Sequence, residues 1–106
     1  MKSQVNLSAL EMKNIRNEVA AILKAISHPQ RLMLLCHLAD GEKTVGQLEE
    51  LCGGSQSSIS QFLKLMKLEE MLTSEKRGLY VYYSIHDPKI KKLISSLYKI
   101  FCNKRG

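Results

Sequence analysis

Apolar residues recur along this chain at two different spacings, and the change between them comes near residue 70. Before that point they fall three and four residues apart, which is the spacing of a helix buried on one side. The stretches 71–75 and 79–85 are instead prone to form strands. The predicted helices cover residues 8–26, 29–39, 44–51 and 55–68, and a last helix starts at Asp87. The pattern predicts a mainly α fold of the α+β kind, in the order α-α-α-α-β-β-α.

Capping and turn residues mark the ends of these elements. Pro29 suits the first turn of a helix, with Ser27 or His28 near its cap. Gln47 stands three residues after Thr44, which is the spacing of a capping box. Gly53-Gly54 predicts a tight turn before the fourth helix, and Lys76-Arg77-Gly78 predicts a basic hairpin turn between the strands. Two short helices joined at glycines and followed by a basic hairpin predict a winged helix-turn-helix.

The predicted fourth helix has two chemically different faces. One face carries the apolar residues Ile59, Phe62, Leu63, Met66 and Leu68. The opposite face carries hydrogen-bonding groups and cations but no acid, so nothing on it would repel the anionic backbone of DNA. An ordinary solvated face is the alternative for this helix taken alone. The residues expected to contact DNA are Gln56, Ser57, Ser58, Ser60, Gln61 and Lys64 on this helix and Lys76 and Arg77 in the hairpin.

Length and charge set broader limits on the protein. With 106 residues the chain can bury one modest core, so we expect a single domain over residues 1–106. Its net charge is +6, but residues 86–106 alone carry +5, from six basic and one acidic residue, so the charge supports a nucleic-acid partner only loosely. No apolar run reaches the roughly 20 residues that span a bilayer, and the start of the chain lacks the apolar core of a signal peptide. We expect a cytoplasmic protein without a membrane partner.

Four stretches together resemble the ArsR/SmtB family of bacterial winged-helix repressors: SHPQRLMLLCHL, TVGQLEEL, SQSSISQFLKLMKLEEML and YVYYSI. The resemblance extends over nearly the whole chain. It implies a homodimer joined through the first and last helices, which would account for the wide apolar stripe of 8–26. It also implies an operator DNA with two half-sites, read by the two fourth helices in adjacent major grooves.

Two metal sites common in that family have no counterpart in this sequence. One uses a Cys-Val-Cys motif on the third helix, and residues 44–51 contain no cysteine. The other uses an Asp and a His with a later His and Glu. Asp87 matches the first of these, but Lys89, Ile100 and Asn103 stand at the other positions and are not a plausible set of zinc ligands. We therefore predict no metal and no cofactor.

Cys36 in LLCHL and Cys102 in IFCNK resemble the two cysteines of the dithiol-sensing branch of the family, which includes the HlyU, BigR and SqrR types of regulator. The resemblance implies a disulfide or polysulfide bridge within one subunit, formed when the pair is oxidised or persulfidated by reactive sulfur species. The bridge would release the repressor from DNA. Cys52 is expected to be a core or turn thiol.

Other readings of the same residues remain open at this point. Cys36 could be a buried small apolar residue, which is the commonest role of a free cysteine. The thiols and a histidine could instead bind a metal ion, which would make the protein a metal-sensing repressor of the same fold. A winged-helix module that binds a protein partner is a further possibility. An enzyme has the least support, because the sequence contains no cofactor loop and no catalytic cluster.

Overall fold

Five helices and a three-stranded antiparallel sheet form the part of the chain that the structure describes. The computed structural model describes residues 8–53 and 56–102, and for residues 56 and 57 it describes the backbone alone. The elements in chain order are α1 (Ala9–Ile26), α2 (Pro29–Leu38), β1 (Lys43–Thr44), α3 (Val45–Cys52), α4 (Gln56–Leu68), β2 (Leu72–Arg77), β3 (Tyr80–Ile85) and α5 (Pro88–Cys102). The predicted winged-helix order is confirmed, and the two-residue strand β1 is an addition to it.

The caps that the sequence predicts are present. His28 caps α2 through its ring Nδ1, which accepts a hydrogen bond from the Gln30 amide at 3.1 Å, and Pro29 is the first residue of that helix. In the capping box of α3, the Gln47 amide donates to Thr44 Oγ1 at 3.1 Å and the Thr44 amide donates to Gln47 Oε1 at 2.8 Å. Gly53 ends α3 with a φ of +73°, a left-handed conformation that favours glycine. The predicted turn residue Gly54 lies outside the described residues, as does Ser55 at the start of the predicted fourth helix.

The core is built where α2, α3, α4 and α5 meet. Its fully buried residues are Leu34, Leu35, Leu38, Leu48, Ile59, Leu63, Met66 and Ile94. In α2, Leu34 is fully buried, and Leu32 and Cys36 are partly buried and pack against the core. One expectation about α4 was wrong. Leu68, which was assigned to the apolar face, is 80% exposed, because it lies about 200° around the helix from the buried Met66.

The sheet has the strand order β1-β3-β2, with β3 in the centre. The register pairs Ser74 with Tyr83 and Arg77 with Tyr80, so the hairpin turn consists of residues 78 and 79. The predicted turn Lys76-Arg77-Gly78 was therefore placed too early, since Lys76 and Arg77 still belong to β2. A two-residue hairpin loop needs positive φ at its first or both positions, and Gly78 supplies it with a φ of +63°.

Candidate nucleic-acid interface and thiol pair

Helix α4 presents an acid-free polar face because its other face is anchored in the core. Ile59, Leu63 and Met66 are completely buried, which turns the side chains on the opposite side of the helix outward. Gln61 and Lys64 are exposed there, whereas Ser58 and Ser60 are half-buried. The first turn contains no acidic residue, so the positive end of the helix dipole is not neutralised by a carboxylate of that turn. This face can donate hydrogen bonds to DNA bases and phosphates.

Three contacts fix α4 against its neighbours. The Lys67 ammonium donates a hydrogen bond to Ser74 Oγ of β2 at 2.6 Å. The ring of His28 packs on the ring of Phe62, with 4.9 Å between the centroids. Directly after α4, the Glu69 carboxylate accepts two hydrogen bonds from Arg31. These contacts join α4 to the β2–β3 hairpin, which is the wing of the fold, to the α1–α2 junction and to α2. The helix is therefore held on several sides.

The two cations of the wing have different surroundings. The Arg77 guanidinium lies 4.1 Å from the centre of the Tyr82 ring and forms ion pairs with Glu42 and Glu75. The hydrogen bond to Glu42 raises the pKa of Arg77 above its ordinary value. The Lys76 side chain is exposed and makes no hydrogen bond or ion pair with residues 8–53 or 58–102. Sequence reasoning had assigned both cations to DNA and had missed Glu42, because a partner 35 residues away leaves no local signal.

Cys36 faces a cavity between α2 and α5. The cavity has a volume of about 420 Å³ and is lined by Cys36, His37, Ala39, Asp40, Ile94, Ser95, Tyr98 and Lys99. Cys102 is the last residue of α5 and is exposed. It follows Tyr98 by four residues, so it lies on the same face of the helix, about 6 Å further along the axis than a residue of the cavity wall. The packing of α2 on α5 thus directs both cysteines toward one side of the molecule.

The chemistry of the three thiols differs. Partial burial raises the pKa of the Cys36 thiol, and the nearby Cys102 raises it further through the repulsion between two thiolates. The direction of this shift agrees with the helix geometry, which places both thiols on one side of the α2–α5 contact. Cys52, at the end of α3, is half-buried against the core, and burial raises the pKa of its thiol as well. Within residues 8–53 and 58–102, no three His, Cys, Asp or Glu side chains are grouped so that they could hold a metal ion.

Apolar side chains remain exposed in a stripe along α1 and at the end of α5. On α1 the stripe consists of Met12, Ile15, Val19 and Leu23, whereas Leu10 is exposed on the opposite side of the helix; on α5 the exposed residues are Tyr98, Ile100 and Phe101. Phe101 is 78% exposed and Met12 of the α1 stripe is 54% exposed, which is high for large apolar residues. Among the described helices, none is long and apolar enough to cross a membrane.

Comparison with known proteins identifies the family. Residues 28–74 match the family described as bacterial regulatory protein, arsR family. The biofilm growth-associated repressor of Xylella fastidiosa strain Temecula1 is 37% identical over 94 residues, which are 89% of this chain and 82% of that protein. The crystal structure of the repressor BigR from Xylella fastidiosa superposes with a TM-score of 0.81 at 36% identity, covering 92% of this chain and all of that one.

A relative with another regulatory role has the same fold. The structure of reduced HlyU from Vibrio cholerae superposes with a TM-score of 0.81 at 30% identity and covers 88% of this chain and 98% of that one. HlyU is named a transcriptional activator, so the relatives include both activators and repressors. Both roles are those of DNA-binding regulators and not of enzymes. The chain is therefore a member of the arsR family of bacterial regulatory proteins, with the winged-helix fold of that family.

Proposed function

We propose that this protein is a homodimeric transcriptional repressor that acts in the cytoplasm and leaves its operator when Cys36 and Cys102 are oxidised or persulfidated. The observation that supports the proposal is the placement of the two thiols: Cys36 lines the cavity between α2 and α5, and Cys102 follows Tyr98 of the cavity wall by one helical turn. The likeness to the biofilm growth-associated repressor of Xylella fastidiosa supports the repressor role.

The DNA-binding surface in this proposal is the polar face of α4 together with the wing. Gln56, Ser57, Ser58, Ser60, Gln61 and Lys64 supply base and phosphate contacts, and Lys76 and Arg77 are the two cations of the wing, which have separate roles. The buried anchors Ile59, Leu63 and Met66 support this assignment, because they leave the polar face of α4 free to enter a major groove. Most of these residues are uncharged, so sequence discrimination would come from hydrogen bonds and little of it from net charge.

The dimer interface is formed by the apolar stripes of α1 and α5. The exposure of four large apolar residues on one face of α1, together with Phe101 and its neighbours on α5, supports a partner that covers them. A second copy of this chain is the occupant that also places two α4 helices on one DNA molecule. Two recognition helices related by a two-fold axis read two half-sites about one helical turn apart.

The switch is a two-electron oxidation of the dithiol. Cys102 is exposed, so its thiolate reacts with the oxidant first, whereas Cys36 is half-buried and reacts second. With an organic persulfide R–S–SH, the Cys102 thiolate takes the outer sulfur and RSH leaves. The Cys36 thiolate then attacks the inner sulfur of the Cys102 persulfide, which forms the disulfide and expels hydrogen sulfide. Two thiols are oxidised in total, and one persulfide is reduced to RSH and H₂S.

A peroxide would drive the same bridge by another route. The Cys102 thiolate attacks one oxygen, so that a sulfenic acid and water are formed, and Cys36 then displaces a second water. In both cases α2 and α5 become covalently linked. Because α2 packs on α3 of the helix-turn-helix and α5 belongs to the proposed dimer interface, the link changes the relation between the two DNA-reading heads.

The test is DNA release by the dimer in the presence of an oxidant. When the protein bound to its operator is treated with an organic persulfide, it should dissociate from the DNA. Mass spectrometry should then find a Cys36–Cys102 bridge within one subunit. Cys36→Ser and Cys102→Ser should both bind DNA and no longer respond, while Cys52→Ser is the matched control that keeps the response.

Three results would contradict the proposal. A bridge between subunits, or a response that persists in Cys36→Ser, would refute the intramolecular switch. Release of DNA by a metal ion in place of the persulfide would make the protein a metal sensor. Failure of the untreated protein to bind any DNA sequence would favour a module that binds a protein partner.

A further inference from the structure

Arg77 connects all three strands of the sheet on the face opposite α4. It stands at the end of the edge strand β2, and its guanidinium lies over the ring of Tyr82 in the central strand β3. Its Nη2 donates to a carboxylate oxygen of Glu42, the residue that directly precedes β1. Its Nε lies 3.6 Å from Glu75 Oε1 on its own strand. One side chain therefore ties the tip of the hairpin to the segment that leads into α3.

Lys76 lies on the other face of the same strand, because successive residues of a strand point to opposite sides. This is the face of Ser74, which accepts the hydrogen bond from Lys67 of α4. Lys76 is two residues beyond Ser74 and closer to the turn at Gly78. Its ammonium group is exposed and has no hydrogen-bond or ion-pair partner among residues 8–53 and 58–102. It is an unneutralised cation on the same side of the wing as α4.

We propose that Arg77 is a positioning residue, which holds the wing through Glu42 and Tyr82, and that Lys76 is the phosphate contact of the wing. This inference rests on the proposed DNA-binding function and assigns different roles to two adjacent cations. The planar guanidinium suits the first role, because it can stack on an aromatic ring and bond a carboxylate at the same time. The compact ammonium of lysine suits the second.

Charge balance supports the same division. Arg77 is close to two carboxylates, so the cluster of Arg77, Glu42 and Glu75 has no net positive charge to offer to DNA. If Arg77 moved to a phosphate, both carboxylates would be left unpaired near an anionic backbone. Lys76 has no such cost, since binding to a phosphate neutralises a charge that is unpaired in the free protein and releases a counterion from DNA.

The experiment measures how the affinity of the intact dimer for DNA depends on KCl concentration. A labelled duplex of about 30 base pairs, three helical turns, is sufficient, because phosphate contacts do not depend on sequence. Lys76→Gln should flatten the slope of log affinity against log salt by about 0.9 per subunit, the value for one lost phosphate contact. The charge-neutral pair Arg77→Gln with Glu42→Gln should weaken binding several-fold and leave the slope unchanged.

A charge swap separates the two roles further. Arg77→Glu combined with Glu42→Arg rebuilds an ion pair of reversed polarity at the same net charge. It should bind DNA more tightly than the double glutamine variant, because the strands are tied together again. If Arg77 contacts a phosphate, the swap places a carboxylate there and binds more weakly than the double glutamine variant. That result, or a slope loss in the double glutamine variant equal to that of Lys76→Gln, would overturn the proposal.

Hydrogen exchange of the free protein tests the positioning role without DNA. Amides of β2 and β3 should exchange several-fold faster in the double glutamine variant than in the unsubstituted protein, whereas Lys76→Gln should leave them unchanged. Equal protection in both variants would refute a role of Arg77 in holding the wing. If the unsubstituted protein binds no duplex at any salt concentration, the proposed DNA-binding function fails instead, and the exchange result still decides whether Arg77 holds the wing.

Discussion

Arg31 and Glu69 bind each other through two parallel hydrogen bonds, from Nη1 to Oε1 at 2.8 Å and from Nη2 to Oε2 at 3.1 Å. Arg31 belongs to α2, and Glu69 directly follows α4. Arg31 Nη1 also lies 3.4 Å from the carbonyl oxygen of Ala25 near the end of α1. The Arg31 side chain is only 12% exposed, so the arginine side of the pair is largely shielded from solvent. One arginine thus joins α1, α2 and the segment that follows α4.

Loss of this arginine should destabilise the fold. Arg31→Ala should lower the free energy of unfolding by about 1–3 kcal/mol, because Glu69 and the Ala25 carbonyl lose their partner. Arg31→Lys should recover only part of the loss, since an ammonium cannot reproduce the two parallel bonds. Urea unfolding at a fixed protein concentration measures the effect. Lys89→Ala removes a much more exposed pair, with Glu18, and is the control that should hardly change the unfolding midpoint.

The core side of α4 gives a second stability prediction. Leu63 is completely buried, so Leu63→Ala should cost about 2–5 kcal/mol, from lost burial and the cavity that remains. Leu65 lies on the same helix but is 46% exposed, and Leu65→Ala is the matched control with an expected change of less than about 1 kcal/mol. Denaturant unfolding compares the two variants. Equal losses would show that another surface covers Leu65 or that α4 is not anchored as described.

The apolar stripe of α1 predicts self-association. Val19 is 43% exposed within that stripe, and Val19→Glu should place a carboxylate in the proposed interface and shift the protein from dimer to monomer. Asn17→Glu adds the same charge on the same helix, at an exposed position outside the stripe, and should leave the dimer intact. Analytical ultracentrifugation across a concentration series measures the difference. An unchanged dimer in Val19→Glu would exclude α1 from the interface.

The pKa of Cys36 predicts how its reactivity depends on pH. Burial and then the Cys102 thiolate raise the pKa of Cys36 above its ordinary value of 9.0, so the thiol is mostly protonated near neutral pH. Its alkylation rate should rise about tenfold per pH unit and still be rising at pH values near 9, since only the thiolate reacts. Cys102→Ser removes the repulsive partner and should move the rate profile of Cys36 to lower pH.

Mass spectrometry of peptides alkylated with iodoacetamide for fixed times gives these profiles residue by residue. Cys52→Ser is the control, because Cys52 is not among the causes of the shift at Cys36. A Cys36 profile that is the same with and without Cys102 would contradict the electrostatic coupling of the pair and would count against the proximity of the thiols that the proposed switch requires.

Several features of the fold were predictable because their signals are local. The helices follow from apolar residues three and four positions apart, and the capping box of Thr44 and Gln47 lies within a single helical turn. The strand β1 was not predictable in this way. It is only two residues long, and it exists because Lys43 and Thr44 pair with Tyr83 and Tyr82 of β3, far away in sequence.

The sequence by itself determined the local elements, the acid-free face of α4 and the presence of two cysteines in helices that the family resemblance brings together. Tertiary structure decided which charged side chains already have an ion-pair partner within the protein. Arg77 and Lys76 are neighbours with similar charge in the sequence, yet pairing of β2 with β3 turns them to opposite faces of the sheet. Only Arg77 lies on the face where it reaches Glu42. This contact depends on the strand order, which cannot be seen in the sequence around Arg77.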